Sequence, residues 1–165
     1  MDNKYPGVIT RFLHQDERLI LSKDVNELPL VIEAQDRSDV PFLQSFIKSH
    51  SAALLEDIAT YGAVLFRGFD INTDEQFEKT ILTIQGFHGI SEAFMSEEGR
   101  VHVGPLNYVL HTNAVYKTGG TLYLGGFHTE NYYSPDVPSY ISVSYTHLTL
   151  PRRSTLCRSR WSPYH

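Results

Sequence analysis

The order of predicted elements along the chain indicates an α+β fold. Apolar runs of strand length occupy the first 35 residues, helical periodicity extends from residue 38 to residue 86, and strand-like runs return after residue 120. A chain of 165 residues, of which 41% are hydrophobic, is long enough to bury one sizeable core. The sequence therefore predicts one α+β domain whose carboxyl-terminal half becomes a β-sheet.

The first predicted elements are short strands. The apolar-rich runs VITRFL and RLILSK flank the polar HQDE, a pattern typical of a β-hairpin with a four-residue loop. LPLVIEA follows as another extended segment, interrupted by Pro29, because proline cannot donate to a strand ladder.

Helical periodicity then predicts one helix from Ser38 or Asp39 to Tyr61. Asp39 is the expected N-cap, and Gly62 stands where a left-handed residue would end the helix. The next segment, AVLFRGF, is short, apolar and bounded by glycines, and it predicts a buried strand. The apolar face of the helix consists of residues at spacings of three, four and seven: Leu43, Phe46, Ile47, Leu54 and Ile58.

A second helix is predicted from Thr73 to Gly86. Thr73 and Gln76 have the spacing of a capping box. The segment from residue 87 to residue 113 is irregular and contains glycines, so we expect a long loop able to line a pocket. TLYLGGFHTENYY and PSYISVSY then predict strands, with prolines marking the turn between them. The apolar face of the second helix carries Phe77, Ile81 and Ile84.

Charge is distributed unevenly along the chain. The net charge is −5, yet all 19 acidic residues lie at or before Asp136, and the last 29 residues hold four arginines and no acid. The tail from residue 145 to residue 165 lacks both helical and strand periodicity. We therefore assign residues 1–144 to the fold and interpret 145–165 as an anomalous basic tail of frameshift or read-through origin. A disordered basic tail is the alternative, and a nucleic-acid partner is not expected.

The remaining composition limits the class of protein. No apolar run reaches the roughly 18 residues of a membrane span, and the amino terminus lacks a signal-peptide pattern, so a cytoplasmic protein without a membrane partner is expected. Cys157 is the only cysteine, which excludes a disulfide framework and a thiolate metal cage. A metal would have to be held by nitrogen and oxygen.

His128 and Glu130 are the candidate metal ligands. On a strand, residues two apart share a face, so the imidazole and the carboxylate can converge on one ion. This donor set suits Fe(II), which needs one more histidine for a facial triad. The alternative is a core histidine beside a solvent-facing glutamate. The same spacing at His14 and Asp16 predicts only a solvated turn.

The segments around this pair resemble a known family. LPLVIEA, a helix, YGAVLFRGFDINTDEQFEKTI and GGFHTENYYSPDVPSYISV resemble, in kind and in order, the first half of the taurine dioxygenase-like (TauD/TfdA-type) Fe(II)/2-oxoglutarate-dependent oxygenases. The resemblance covers roughly residues 28–144. The glutamate at position 130, in place of an aspartate, resembles the pattern of the clavaminate synthase-like branch of this family.

The resemblance implies a fold, cofactors and a reaction. The fold would be an incomplete double-stranded β-helix (jelly roll) with two helices in its amino-terminal half. His128 and Glu130 would be two of three Fe(II) ligands, and oxidative decarboxylation of 2-oxoglutarate would drive hydroxylation or desaturation of a small-molecule substrate. The family's second histidine and its 2-oxoglutarate arginine lie further downstream, so we expect a truncated, inactive chain. His147, Arg152 and Arg153 are poor replacements because they fall in the anomalous tail.

Other residues allow further interpretations. Arg67 is expected to pair with an acid of the following helix, and Arg100 is a candidate substrate contact or a solvated loop residue. A half jelly roll would expose an unpaired edge near residues 139–145, which predicts self-association. The alternative function is a non-catalytic binding module with an aromatic sheet face formed by Tyr123, Phe127, Tyr132 and Tyr133.

Overall fold

Three strands and three helices make up the described part of the chain. A computed structural model describes residues 4–14, 17, 29–90, 106, 108–109 and 137–144. The chain divides into two compact units, residues 1–88 and 89–165, and all described helices and strands belong to the first. Their order is β1 (Val8–Phe12), β2 (Leu30–Ala34), α1 (Val40–Ser49), α2 (Ser51–Tyr61), β3 (Val64–Arg67) and α3 (Asp74–Ile81).

The strands form one mixed sheet in the order β1-β2-β3. β1 runs antiparallel to β2, with Thr10 opposite Ile32, and β3 runs parallel to β2, with Phe66 opposite Ile32. A parallel pair needs a long crossover, and α1 and α2 supply it. β1 pairs with the LVIEA segment, which is β2. The predicted hairpin partner of β1, residues 18–23, lies outside the described residues.

The helices cover one face of this sheet. Side chains alternate across a strand, so Val8 and Ile32 project to the helical side together with Val64 and Phe66. Burial of these apolar side chains is the main source of stability for the unit. The buried cluster consists of Tyr5, Val8, Ile32, Leu43, Phe46, Ile47, Leu54 and Ile84.

The helix predicted from residue 38 to residue 61 is two helices that meet at His50. His50 has φ −112° and ψ 16°, outside helical geometry, and serves as the last cap of α1 and the first of α2. The Ser51 hydroxyl donates to the carbonyls of Ile47 and Lys48 at 2.8 and 3.2 Å. Polar side chains that bond to nearby backbone in this way compete with regular helix. The described residues consequently contain three helices where the sequence predicted two.

The predicted helix caps are confirmed. The Asp39 carboxylate accepts from the Phe42 N–H at 3.0 Å. Gly62 ends α2 with φ 73°, and its N–H donates to the Ile58 carbonyl at 2.8 Å. Thr73 and Gln76 form the reciprocal capping box at the start of α3. These caps are local, so their residue types and spacing were sufficient to locate them.

Two predictions after residue 62 need correction. α3 ends at Ile81 rather than Gly86, because the chain tightens into a turn in which the Ile84 N–H donates to the Ile81 carbonyl. The Thr83 hydroxyl, which donates to the Thr80 carbonyl at 2.6 Å, favours that turn. β3 forms as predicted but is half-buried rather than buried, because it is one of the two outer strands of the described sheet.

The strand predicted over residues 138–145 is absent from the described segment 137–144. Those eight residues have no helix or strand assignment, and most are exposed. Ile141 and Val143 are 63% and 50% exposed. The described sheet consists of β1, β2 and β3, so this segment is not one of its strands. Among the described residues, no helix has the length and apolar character that crossing a membrane requires.

The predicted self-association can be tested at this segment. We expect Ile141→Asp to reduce concentration-dependent association, because a charge at position 141 opposes burial of these exposed apolar side chains against a second copy of the chain. Light scattering over a concentration series measures the effect. Leu82→Asp, which changes another exposed apolar residue, is the matched control and should leave association unchanged. A chain that is monomeric at every concentration would contradict the prediction.

Candidate functional site

The predicted metal ligands and substrate contact lie outside the described residues. His128, Glu130 and Arg100 all fall in segments that the structure does not describe, as do the four aromatic residues of the alternative binding face. Within the described ranges, no group of three or more His, Cys, Asp or Glu side chains is placed to hold a metal ion. The iron site therefore stays a prediction.

His14, of the other His-x-acid pair, lies at an exposed turn, as predicted. His14 is exposed, and its carbonyl accepts from the Glu17 N–H at 3.1 Å. The Glu17 carboxylate folds back to accept from the His14 N–H at 2.8 Å. Asp16 lies outside the described residues. The turn uses the backbone of His14 and places Glu17 beside the sheet.

The described unit contains a charged cluster on the sheet face opposite the helices. Arg11, Glu33 and Arg67 lie on β1, β2 and β3, and Glu33 is directly opposite Arg67 in the register. Arg11 Nε donates to Glu33 Oε2 at 3.0 Å. Glu17, at the turn after β1, contacts both Arg11 and Arg67. The cluster of Arg11, Glu17, Glu33 and Arg67, here called the ionic cluster, pairs two cations with two anions.

Glu17 is the centre of the ionic cluster. Arg11 donates to both of its carboxylate oxygens, from Nη1 at 2.7 Å and from Nη2 at 3.0 Å. Arg67 Nη1 donates to the same carboxylate. Arg11 and Arg67 are on the two outer strands of the described sheet, so Glu17 links strands that do not pair with each other. A bidentate arginine fork holds a carboxylate in one plane, which fixes its orientation.

The cluster keeps Glu17 ionised. The pKa of Glu17 is lowered from 4.5 to about 2, mainly by the hydrogen bond from Arg11 and further by those from the His14 N–H and Arg67. The pKa of Arg11 is raised by its hydrogen bonds to Glu17 and Glu33. Both side chains are therefore charged throughout the neutral pH range, and the four charges balance.

The expected partner of Arg67 was only half right. Arg67 does bind an acid, but that acid is Glu17 and not a residue of α3. Glu17, Arg11 and Glu33 were not singled out from the sequence. Arg67 and Glu17 are 50 residues apart, and only the pairing of β2 with both neighbouring strands brings them together. The alternation that places Arg11 and Glu33 away from the apolar face was the one available signal.

A second polar cluster attaches the amino-terminal segment to α2. Asp57 is buried, and its two carboxylate oxygens accept from Tyr5 Oη and Lys4 Nζ, each at 2.5 Å. Burial raises the pKa of the Tyr5 phenol above its ordinary value of 10.0, and the hydrogen bond to Asp57 raises it further. The hydrogen bond to Asp57 also raises the pKa of Lys4. Tyr5 is therefore held in its neutral form, in which its hydroxyl donates to the Asp57 carboxylate.

Comparison with known proteins places the chain in a family. The model of the family described as taurine catabolism dioxygenase TauD, TfdA family, matches residues 24–144. That segment spans well over half of the chain and includes β2, β3, all three described helices and the positions of His128 and Glu130. No curated protein matches the chain. The matched residues nearly coincide with the segment, roughly 28–144, whose motifs resemble this family. The chain belongs to the TauD, TfdA family.

Proposed function

We propose that this chain derives from a non-haem Fe(II)/2-oxoglutarate-dependent dioxygenase that hydroxylates or desaturates a small molecule. Its family generally comprises enzymes of that type, which use Fe(II) and 2-oxoglutarate. The observation that supports the proposal is the family match, because it extends across the His128-Thr-Glu130 segment. The corresponding fold would continue from the described mixed sheet into a jelly roll.

The donor set of His128 and Glu130 fits iron. One neutral imidazole and one carboxylate are two of the three ligands in a facial triad, and neither is a soft thiolate or thioether of the kind that selects Cu(I) or an iron–sulfur cluster. When bound, Fe(II) with 2-oxoglutarate supplies the oxidising chemistry of the reaction. The protein residues hold the metal, keep its ligands deprotonated and leave positions for the substrates.

The residues that would complete the site are not assigned in this chain. The family pattern also needs a second histidine ligand and an arginine that pairs with the far carboxylate of 2-oxoglutarate, and neither has a convincing counterpart after Glu130. Arg100 is proposed as a contact for an anionic group of the substrate. Because each missing ligand weakens a site whose affinity for Fe(II) is already modest, we expect weak iron binding and no turnover.

Iron binding tests the ligand assignment. Anaerobic Fe(II) titration of the chain with 2-oxoglutarate should show weak binding that Glu130→Ala or His128→Ala reduces further. Even the outer partners of metal ligands typically contribute about 10- to 100-fold in affinity, so loss of a ligand should weaken binding at least about tenfold. His14→Ala is the matched control, because it removes a histidine at the same spacing from an acid in an exposed turn.

The same samples test the reaction. After admission of O₂, succinate should not accumulate above the level of a protein-free control. Tight 1:1 iron binding with succinate formation would refute the expected inactivity and show that a third ligand exists within the chain. Equal loss of iron affinity in His14→Ala and His128→Ala would refute the assignment of the ligands.

A further inference from the structure

Four N–H donors converge on the carboxylate of Glu17. Two come from the Arg11 guanidinium, one from Arg67 and one from the backbone of His14. This is the donor arrangement with which proteins recognise the carboxylate of a ligand. We propose that Arg11, Arg67 and the His14 N–H form a carboxylate-binding site that Glu17 fills from within the chain and that an external monocarboxylate can occupy in its place.

Arg11 is oriented for this role by contacts other than the one with Glu17. Arg11 Nε donates to Glu33 at 3.0 Å, which leaves its two Nη groups directed at Glu17. Arg11 Nη1 also donates to the Phe12 carbonyl of its own strand at 3.3 Å. The strand register fixes the backbone positions from which the Arg11 and Arg67 side chains extend. The Arg11 fork is thus held in place without Glu17, so it requires little ordering when a carboxylate binds.

Solvent can reach the site. The side chains of Arg11, Glu17 and Arg67 are 20%, 23% and 37% exposed, so the carboxylate position is partly open. Removal of the Glu17 side chain would leave two guanidinium groups facing Glu33 alone, with a net charge of +1. That charge favours a monoanion, whereas the nearby Glu33 carboxylate opposes a dianion such as phosphate.

Glu17 explains why the native chain would not bind free carboxylates at ordinary concentrations. A group attached to the same chain by a short segment has an effective concentration on the order of millimolar or higher, so it outcompetes a dilute solute. The site becomes measurable once this internal competitor is removed. The inference is independent of the iron chemistry, because the ionic cluster includes neither His128 nor Glu130.

Chemical rescue tests the site in the full chain. Glu17→Ala should melt at a lower temperature than the native chain, and sodium acetate at pH 7 should raise that temperature by at least about 4 °C through binding to the folded state. Acetamide, which is neutral but has the same shape, and sodium chloride at equal ionic strength should not. Glu17→Gln is the matched control, because its side chain fills the space without leaving room for acetate.

Further outcomes decide the proposal. Adding Arg67→Gln to Glu17→Ala should abolish the acetate effect, because one of the two guanidinium groups is lost. Should Glu17→Ala be unfolded at every temperature, recovery of helical circular dichroism in acetate but not in acetamide would support the site, and no recovery would overturn it. Equal stabilisation by acetate, acetamide and chloride, or the same acetate response in Glu17→Gln, would also overturn it.

Discussion

Replacing Ile32 by alanine should lower the free energy of unfolding by about 2–5 kcal/mol, the usual range for removing a large aliphatic side chain from a core. Ile32 is fully buried at the centre of β2, the middle strand of the described sheet, and it belongs to the cluster beneath the helices. Its removal would leave a cavity lined by strands and helices that hold each other in place. Such a site cannot collapse without moving several elements.

The matched control for Ile32→Ala is Ile9→Ala. Ile9 is on the neighbouring strand β1 and is 44% exposed, so the same chemical change should alter the stability by only about 0.5 kcal/mol. Urea denaturation measures the free energy of unfolding of both variants, and the dependence of that free energy on urea concentration should stay unchanged. Because the loss at Ile32 is comparable to the whole stability of a small domain, Ile32→Val, with an expected loss of about 0.5–1.5 kcal/mol, keeps the comparison measurable. Equal losses at residues 9 and 32 would contradict the assigned core.

Local signals in the sequence predicted the described fold most reliably. The caps at Asp39, Gly62 and Thr73 depend on residues within three or four positions, and all three are confirmed. The interruption at His50 was missed because the apolar spacing continues through it unchanged, whereas the break shows in the backbone angles of His50 and in the side-chain bonds of Ser51. Periodicity reports which face is buried, and it does not report whether the backbone stays helical.

Contacts between distant residues could not be read from the sequence. The ionic cluster depends on a strand order in which β2 lies between β1 and β3, and no local pattern specifies that order. The same limit applies to the proposed iron site. The spacing of His128 and Glu130 is visible in the sequence, but a facial triad also needs a ligand that the fold brings from elsewhere. Residue spacing alone therefore cannot identify the iron site, and the assignment depends on family membership in addition.

Replacing Asp57 by alanine should be the most damaging polar substitution in the described unit. The Tyr5 side chain is buried, with 1% of the residue exposed, and its hydroxyl donates to Asp57 at 2.5 Å. A buried hydroxyl that loses its acceptor costs about 1–3 kcal/mol. Lys4 would lose its closest anion in the same step, although it is 42% exposed and can return to water. We expect the amino-terminal segment to detach from α2 before the helices unfold.

A double-mutant cycle separates the hydroxyl from the rest of Asp57. Tyr5→Phe removes the donor, so Asp57→Ala should cost less in the Tyr5→Phe background than in the native one, and urea denaturation of the four chains gives the difference. Glu56→Ala is the matched control: Glu56 is the neighbouring acid, 73% exposed and 3.4 Å from Lys4, and its loss should have little effect. Strictly additive losses would show that the Tyr5–Asp57 bond contributes nothing.

The pH dependence provides a second measurement on the same variants. Because the pKa of Tyr5 is raised in the folded state above its ordinary value of 10.0, its contribution to stability is complete below pH 10.0 and is lost as the pH rises toward the folded pKa. The native chain should therefore lose stability above pH 10.0 more steeply than Tyr5→Phe, which has no proton to lose at this position. Parallel stability profiles above that pH would mean that the phenol ionises without disturbing the fold, and the buried bond to Asp57 would then not hold the amino-terminal segment in place.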